Sequence, residues 1–543
     1  MKKLIREGIV LKKQNFIKGS LILMASAAAA KVLGAVFKIP LTNMLGGVGM
    51  SYFSCAYSLF MPVYALTVTG LTAAVARMTA QSAALGMYEN GRRIRRTALG
   101  LFTAAGLAGS LLVFLLAKPF SLYTLGSSDA AAAVAMIAPA VVFGCIAAVE
   151  RGYYEGMSNM YPTALSQIVE GAVKAVAGLL LCGYVTSHPD VVRSLFPSVK
   201  DIRGAAAAAG ILGVTLSTVG AALFFAVLRL FAKTPRGGES LVLSRRTIAR
   251  QLAATALPVG AGSVVTNLTA LIDMWTVIGC IAYFGCSAAA PEGVSDGELP
   301  HFIYGSFAGI ALTVFNLVPS VTNMLGKGAL TCMTEAYERG DRSAMEQGAL
   351  QALLTSAVIS VPAAVGLCVM APEVLGILYP MQSDEAAVCI GPLRWLMAGM
   401  VCLCVSYPLF SMLQAVGKAA APLKIMLPGT AVKLAGNLLL IPFMGVSGAA
   451  VSTSVCYGLI LFLAFRVYTG TAGVSVDLAP FGKVLYSGAM CGGAAYLTRA
   501  AAYRSGASAA VVLSVSAVVG GAVYVLLIRA LVGGLRRKAS GTA

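Results

Sequence analysis

The sequence predicts an all-α polytopic membrane protein with about 14 transmembrane helices, arranged as two six-helix lobes and a C-terminal helix pair. The 543 residues are 58% hydrophobic and 11% charged, with a mean hydropathy of +0.84. A soluble chain carries about a quarter charged residues, so lipid must solvate most of this one. Apolar runs of about 20 residues, each long enough to cross a bilayer, recur along the whole chain.

The apolar runs set the predicted spans and their order. The spans cover residues 16–39, 51–76, 97–117, 130–149, 162–185, 205–231, 248–285, 300–333, 350–371, 388–413, 420–441, 446–468, 480–498 and 507–531. Runs seven and eight exceed the thickness of a bilayer, so we expect them to tilt or to bend near Pro258 and Pro319.

Basic residues concentrate in alternate loops, which predicts the orientation. The segment "GRRIRR" (Gly91–Arg96) and the stretch Arg229–Arg250 are basic, whereas Thr42–Met50 and Ala288–Pro300 lack basic residues. This alternation predicts that both termini lie in the cytoplasm and that the chain lies in the cytoplasmic membrane. Attraction to anionic membrane lipid explains part of the net charge of +19 but not its alternation, and we expect no nucleic-acid partner.

An internal repeat predicts the domain organisation. The segments "AVKAVAGLLL" (Ala172–Leu181) and "AVKLAGNLLL" (Ala431–Leu440) match at six of ten positions, including Lys174 with Lys433. They end the fifth and eleventh predicted spans, as expected for two parallel six-helix lobes. We therefore predict an N-terminal lobe (1–247), a C-terminal lobe (248–470) and a C-terminal helix pair with a basic tail (471–543). Duplicated lobes with substrate between them are a transporter architecture.

Several ionisable side chains lie inside the predicted spans, where each costs about 3 kcal/mol or more. The central ones are Lys31, Glu170, Lys174, Asp273 and Lys433, and those nearer the ends are Lys38, Arg77 and Arg394. Snorkelling to the headgroups would suit the residues near the ends. Glu170 and Lys174, four residues apart, could form a purely structural helix pair.

The surplus of positive charge among these residues predicts an anionic substrate. The predicted spans hold three central lysines but only two central acids. Such a surplus of positive charge persists only in a water-filled cavity or beside a bound anion. Lys31 and Lys38 are two helical turns apart, so both point from one face of the first span. We expect this face to line a cationic cavity between the lobes.

Five ordered segments carry a resemblance to a known family. They are Phe16–Phe60 ("FIKGSLILMASAAAAKVLGAVFKIPLTNMLGGVGMSYFSCAYSLF"), Glu150–Lys174, Ala256–Trp275, Leu312–Leu325 and Leu413–Gly458. Together they resemble the stage V sporulation protein B and lipid II flippase group of the multidrug/oligosaccharidyl-lipid/polysaccharide (MOP) exporter superfamily.

The resemblance implies a flippase that moves a polyprenyl-pyrophosphate-linked sugar, most directly the peptidoglycan precursor lipid II, to the outer leaflet. Lys31 and Lys38 stand near the basic positions of the family's first helix. The family's second-helix arginine has no counterpart in Ala56–Gly70, and Lys174 is expected to supply that charge. Together with the charges inside the predicted spans, this predicts Lys31, Lys38, Lys174, Arg77 and Glu170 as the head-group-binding residues.

The resemblance also implies an ion-coupling or interlobe site. Asp273 resembles a helix-seven acid that helps to bind sodium in some of these flippases, and the residues expected near it are Asn267, Lys433 and Asn437. Lys433 could take the place of the cation, and an Asp273–Lys433 bridge is an equally good interpretation. Coupling to sodium or to the membrane potential therefore stays open, and we expect no cofactor.

Four alternatives accompany this interpretation. The substrate could be another lipid-linked polysaccharide unit. A cation-coupled drug antiporter of the same superfamily would need a mainly acidic cavity. A membrane-embedded enzyme would need a catalytic cluster, yet the sequence offers no paired acids or histidine-centred site, and its 12 cysteines lack zinc-ligand spacing. A scaffold role with cell-wall synthesis proteins as partners would not explain the buried lysines.

Overall fold

The computed structural model describes residues 16–195, 201–231, 243–285, 290–418 and 420–531, and the regular structure in these ranges is helical. The chain forms two compact units, Met1–Trp275 and Thr276–Ala543. The all-α membrane class is therefore confirmed. The predicted boundaries at residues 247 and 470 stay predictions.

The first unit contains eight complete helices and most of a ninth, among the described residues. They are α1 (Phe16–Tyr64), α2 (Gly70–Ala84), α3 (Tyr88–Leu125), α4 (Ala131–Ile137), α5 (Pro139–Gly156), α6 (Tyr161–Ser187), α7 (Pro189–Leu195), α8 (Ile202–Phe231) and α9 (Arg245–Phe284). The last turns of α9 belong to the second unit.

The second unit continues with ten further described helices. They are α10 (Leu299–Ser306), α11 (Leu312–Phe315), α12 (Leu317–Glu338), α13 (Arg342–Val369), α14 (Ala371–Leu378), α15 (Ser383–Ala415), α16 (Ala421–Met444), α17 (Val446–Ala472), α18 (Ala479–Arg504) and α19 (Ala509–Leu531). A 3₁₀ turn, Asp296–Glu298, precedes α10.

Gly46 divides α1 into two legs. Its backbone has φ 64° and ψ −175°, a conformation that essentially only glycine adopts. The apolar helical stretch Ile22–Ala83 is 62 residues long, which would extend about 90 Å as one straight helix. A bilayer core is only about 30 Å thick, so the break at Gly46 separates the first and second predicted spans.

Two π-helical segments interrupt the α-helices. One, Ala65–Thr69, joins α1 to α2, and the other, Phe307–Ala311, joins α10 to α11. They lie in the second and eighth predicted spans, each of which is the second span of its predicted lobe. A π segment widens the helix by one residue per turn and often occurs at functional positions.

The number of membrane spans stays a prediction. By length and composition, the described residues contain 11 helices able to cross a membrane, or 12 if the bent pair Asp296–Phe315 and Leu317–Asn323 is one span. That pair bends by 43°, at Asn316. Pro319 lies three residues later and lacks an N–H for the helical carbonyl four residues before it, which explains the bend. The inside location of both termini is also still a prediction.

Small residues allow the closest helix packing in the first unit. A Cβ at Gly213 on α8 would overlap the backbone of Gly178 on α6. Helix α6 also packs against the first leg of α1, with Leu33 over Gly171 and Phe37 over Gly178. Such small-residue contacts are the usual way for membrane helices to approach closely. They fix α6 between α1 and α8.

The C-terminal pair, α18 and α19, packs on α13 within the second unit. Val361 and Val365 of α13 cover Gly488 and Gly492 of α18. The hydroxyl of Tyr524 on α19 donates to the carbonyl oxygen of Val358 at 3.0 Å. The pair therefore adds a layer to this unit.

Candidate functional site

The first leg of α1 presents the two lysines that the sequence analysis placed on one face. Lys31 is exposed and Lys38 is half-buried. Because the leg is a regular helix here, the seven-residue spacing directs both side chains to the same side. The role of this face in binding a substrate stays a prediction.

The neighbouring helix α6 carries a polar row at one-turn spacing. Ser166, Glu170 and Lys174 follow one another every four residues and therefore share a face. The Lys174 Nζ lies 5.7 Å from the centre of the Phe37 ring on α1, within cation–π distance. Its charge interacts with those of Lys31, Lys38 and Glu170. The structure thus brings the three predicted lysines together.

A fourth cation, Arg151 on α5, completes the group. Its Nη2 lies 2.6 Å from the Glu170 Oε2, and its Nε donates to the Ser166 Oγ at 2.9 Å. Arg151 was not among the predicted site residues, since the predicted fourth span ends at residue 149. Its place directly after an acid at the end of an apolar run was the available signal.

The ion pair of Glu170 with Arg151 changes the interpretation of the Glu170–Lys174 pair. Because Arg151 neutralises Glu170 at short range, this carboxylate compensates the charge of Lys174 only in part. We call Lys31, Lys38, Arg151, Glu170 and Lys174 the cationic cluster. Four cations and one carboxylate leave it with three positive charges in excess.

An aromatic ladder occupies the part of the second span where the resembled family has an arginine. The rings of Phe53, Tyr57, Phe60 and Tyr64 follow one another along the second leg of α1, with centroids 5.0, 6.2 and 4.9 Å apart. Tyr57 and Tyr64 are half-buried, and the charge of Glu170 acts on both. The ladder therefore borders the cationic cluster.

Arg77 is exposed on α2 and stays a predicted binding residue. The other four predicted binding residues lie close together: Lys31 and Lys38 on α1, and Glu170 and Lys174 on α6.

The predicted ion-coupling residues are mostly deeply buried. In the second unit, Lys433 is 4% exposed and Asn437 is 0% exposed on one face of α16, and the Asn437 amide donates to the Thr276 Oγ1 at 2.8 Å. In the first unit, Asp273 is 2% exposed, and the half-buried Asn267 donates to the Ser263 carbonyl of its own helix. The sodium role and the Asp273–Lys433 bridge stay predictions.

The helical membrane fold is that of a multi-pass membrane protein. Residues 16–288, just over half of the chain, match the family described as polysaccharide biosynthesis protein, and residues 302–523 match the family lipid II flippase MurJ. The chain therefore belongs to the polysaccharide biosynthesis protein family, in the stage V sporulation protein B and lipid II flippase group of the MOP superfamily.

Characterised relatives cover nearly the whole chain. Lipid II flippase MurJ of Bacillus subtilis (strain 168) is 23% identical over 532 residues, 94% of each chain. Stage V sporulation protein B of the same strain is 25% identical over 493 residues, 88% of each chain. The solved structure titled "Lipid II flippase MurJ, inward closed conformation" superposes with a TM-score of 0.66 at 14% identity, covering 96% of this chain and 100% of that one.

This similarity supports the assignment of the chain as a lipid-linked oligosaccharide flippase of the cytoplasmic membrane. The chain belongs with transporters and not with enzymes, since the relatives named lipid II flippase MurJ are transporters.

Proposed function

We propose that the protein flips a polyprenyl-pyrophosphate-linked oligosaccharide, lipid II, from the inner to the outer leaflet by alternating access. The observation that carries the proposal is the cationic cluster, with its three excess positive charges on α1, α5 and α6. The similarity to relatives named lipid II flippase MurJ and stage V sporulation protein B supports the same substrate class.

The cluster suits a pyrophosphate bridge between a lipid and a sugar. Such a bridge is a dianion at neutral pH, so it would neutralise most of the excess charge of the cluster. Lysine binds phosphate as a point charge, without demanding one geometry, which suits a substrate that must also leave. The polyprenyl tail stays in the bilayer, because each buried CH₂ is worth about 0.8 kcal/mol.

Substitutions of Lys31 test the proposal. In proteoliposomes with fluorescent lipid II, Lys31→Ala should abolish flipping, Lys31→Arg should retain it because arginine also binds phosphate, and Lys31→Glu should be inactive because it repels the dianion. Expression and folding should change little, since removing a mid-bilayer lysine relieves a cost of about 3 kcal/mol. Lys118→Ala, at an exposed lysine on α3, is the matched control and should flip normally.

Two results would contradict the proposal. A well-folded Lys31→Ala protein that flips at the native rate would show that this lysine does not contact the substrate. Failure of the wild-type protein to rescue cells depleted of their lipid II flippase, together with flipping of a different polyprenyl-linked sugar in vitro, would replace lipid II by that sugar.

A further inference from the structure

The Arg151–Glu170 ion pair places a negatively charged carboxylate, that of Glu170, in a site that we propose binds an anion. Glu170 would repel a pyrophosphate dianion, so its presence in the cationic cluster needs a reason. The pair also stays accessible, because the Arg151 side chain is 15% exposed and that of Glu170 is 29% exposed. An arriving ligand could therefore reach both groups without unfolding a helix.

The geometry of Arg151 divides its guanidinium into two parts. The Nε is held by the Ser166 Oγ at 2.9 Å, whereas Nη2 faces the Glu170 Oε2 at 2.6 Å. Guanidinium groups bind carboxylates and phosphates with the same planar fork of donors. The Nη side can therefore exchange one anion for another while Ser166 keeps the arginine in place.

We infer that Glu170 is a built-in competitor of the substrate phosphate and that Arg151 is a further head-group-binding residue. This inference rests on the proposed function. In the empty protein, Glu170 holds Arg151 and partly compensates Lys174. When the pyrophosphate enters, it takes the Nη atoms of Arg151, and Glu170 is displaced. On release, the carboxylate returns to the guanidinium.

A competing carboxylate favours transport because a carrier must release its substrate after moving it. Conduction and transport require binding strong enough for entry and weak enough for exit. Four cations without a carboxylate would hold a dianion too firmly. The return of Glu170 to Arg151 offsets the electrostatic cost of losing the phosphate, and this lowers the barrier to release.

Binding of farnesyl pyrophosphate to the purified full-length protein tests the inference, with titration calorimetry as the readout. Glu170→Gln should bind about tenfold more tightly, because a neutral amide competes poorly for the guanidinium, yet flip lipid II more slowly. Arg151→Ala should bind at least about tenfold more weakly. In the Arg151→Ala background, Glu170→Gln should increase the affinity for farnesyl pyrophosphate by less, because there is no guanidinium for which Glu170 competes with the phosphate.

The matched control is Glu89→Gln, which removes the carboxylate of a 2.9 Å ion pair with Arg92 on α3. It should leave the Kd unchanged. Unchanged or weaker binding by Glu170→Gln, with Lys31→Ala still weakening it, would overturn the inference and leave the proposed function intact. So would loss of thermal stability in both Arg151→Ala and Glu170→Gln at unchanged Kd, the result of a structural pair. If the wild type neither binds the probe nor flips lipid II, both proposals fail.

Discussion

A single carboxylate, Glu373, joins the short helix α14 to α18, the first helix of the C-terminal pair. It is 2% exposed and accepts hydrogen bonds from the Arg499 Nε at 2.6 Å and the Tyr503 hydroxyl at 2.7 Å. Burial disfavours its charged form, but the hydrogen bonds from Tyr503 and Arg499 outweigh burial and hold the pKa of Glu373 below its ordinary value. The charged form therefore stabilises the docking of α18.

The depressed pKa of Glu373 predicts a loss of stability in acid. The contribution is complete above the unfolded-state pKa of about 4.3 and is lost as the pH falls through the lower folded-state value. Glu373→Gln should lower stability at pH 7 by about 2 kcal/mol and flatten this acid dependence. Thermal unfolding in detergent between pH 3 and pH 7 measures both effects. Asp384→Asn, at an exposed acid nearby, should change neither.

Side chains inside the predicted spans were easier to assign to the site than those at helix ends. Lys31, Lys38 and Lys174 stood out in the sequence because a charge within an apolar run is costly. Arg151 did not, because an arginine at the end of a span is commonplace. Its role depends on contacts with Ser166 and Glu170 on another helix, which the spacing along one helix does not reveal.

At the scale of elements, the contact between α6 and α8 determines where Lys174 lies. Gly213→Ala should destabilise the protein by about 1–3 kcal/mol, because the added Cβ would overlap Gly178 and force the two helices apart. Flipping should fall with it, since α6 carries two of the five residues of the cationic cluster, Glu170 and Lys174. Gly183→Ala is the matched control on α6, as its Cβ would meet no atom closer than 3.8 Å. Equal thermal stability of the two variants would contradict this account.

The positions of the helices could be predicted, but their internal irregularities could not. Most predicted spans overlap a single described helix, because length and apolar composition are the requirements of a bilayer. The eighth, 300–333, covers α10, a π segment, α11 and part of α12, and the number of spans stays a prediction. The π segments Ala65–Thr69 and Phe307–Ala311 left no such signal. Where lipid and core both favour apolar side chains, a change of helical register does not alter the hydrophobic pattern.

For the whole molecule, the orientation predicted from loop charge can be tested with single cysteines in a cysteine-free background. Cysteines at the exposed positions Asp190 and Asp296 should react with an impermeant thiol reagent added to intact cells. A cysteine at the exposed Glu89 should react only after permeabilisation, because the basic segment beside it, at the start of α3, is predicted to be cytoplasmic. Labelling of Glu89→Cys in intact cells would reverse the orientation.

The class of the whole molecule was accessible from composition, since a chain with 11% charged residues cannot be solvated by water alone. The extent of the two compact units was not accessible from composition. Their boundary falls inside α9, between Trp275 and Thr276, where the sequence shows no polar linker. A continuous helix hides such a boundary, because the packing partners change along its length while the local pattern does not.

The contact between Gly178 and Gly213 also constrains the gene. Every single-nucleotide change that alters a glycine codon introduces either a residue with a Cβ or a stop codon. Since neither position has room for a Cβ, no missense mutation reachable in one step preserves the contact. We therefore expect natural alleles to differ at these two codons mainly by synonymous changes.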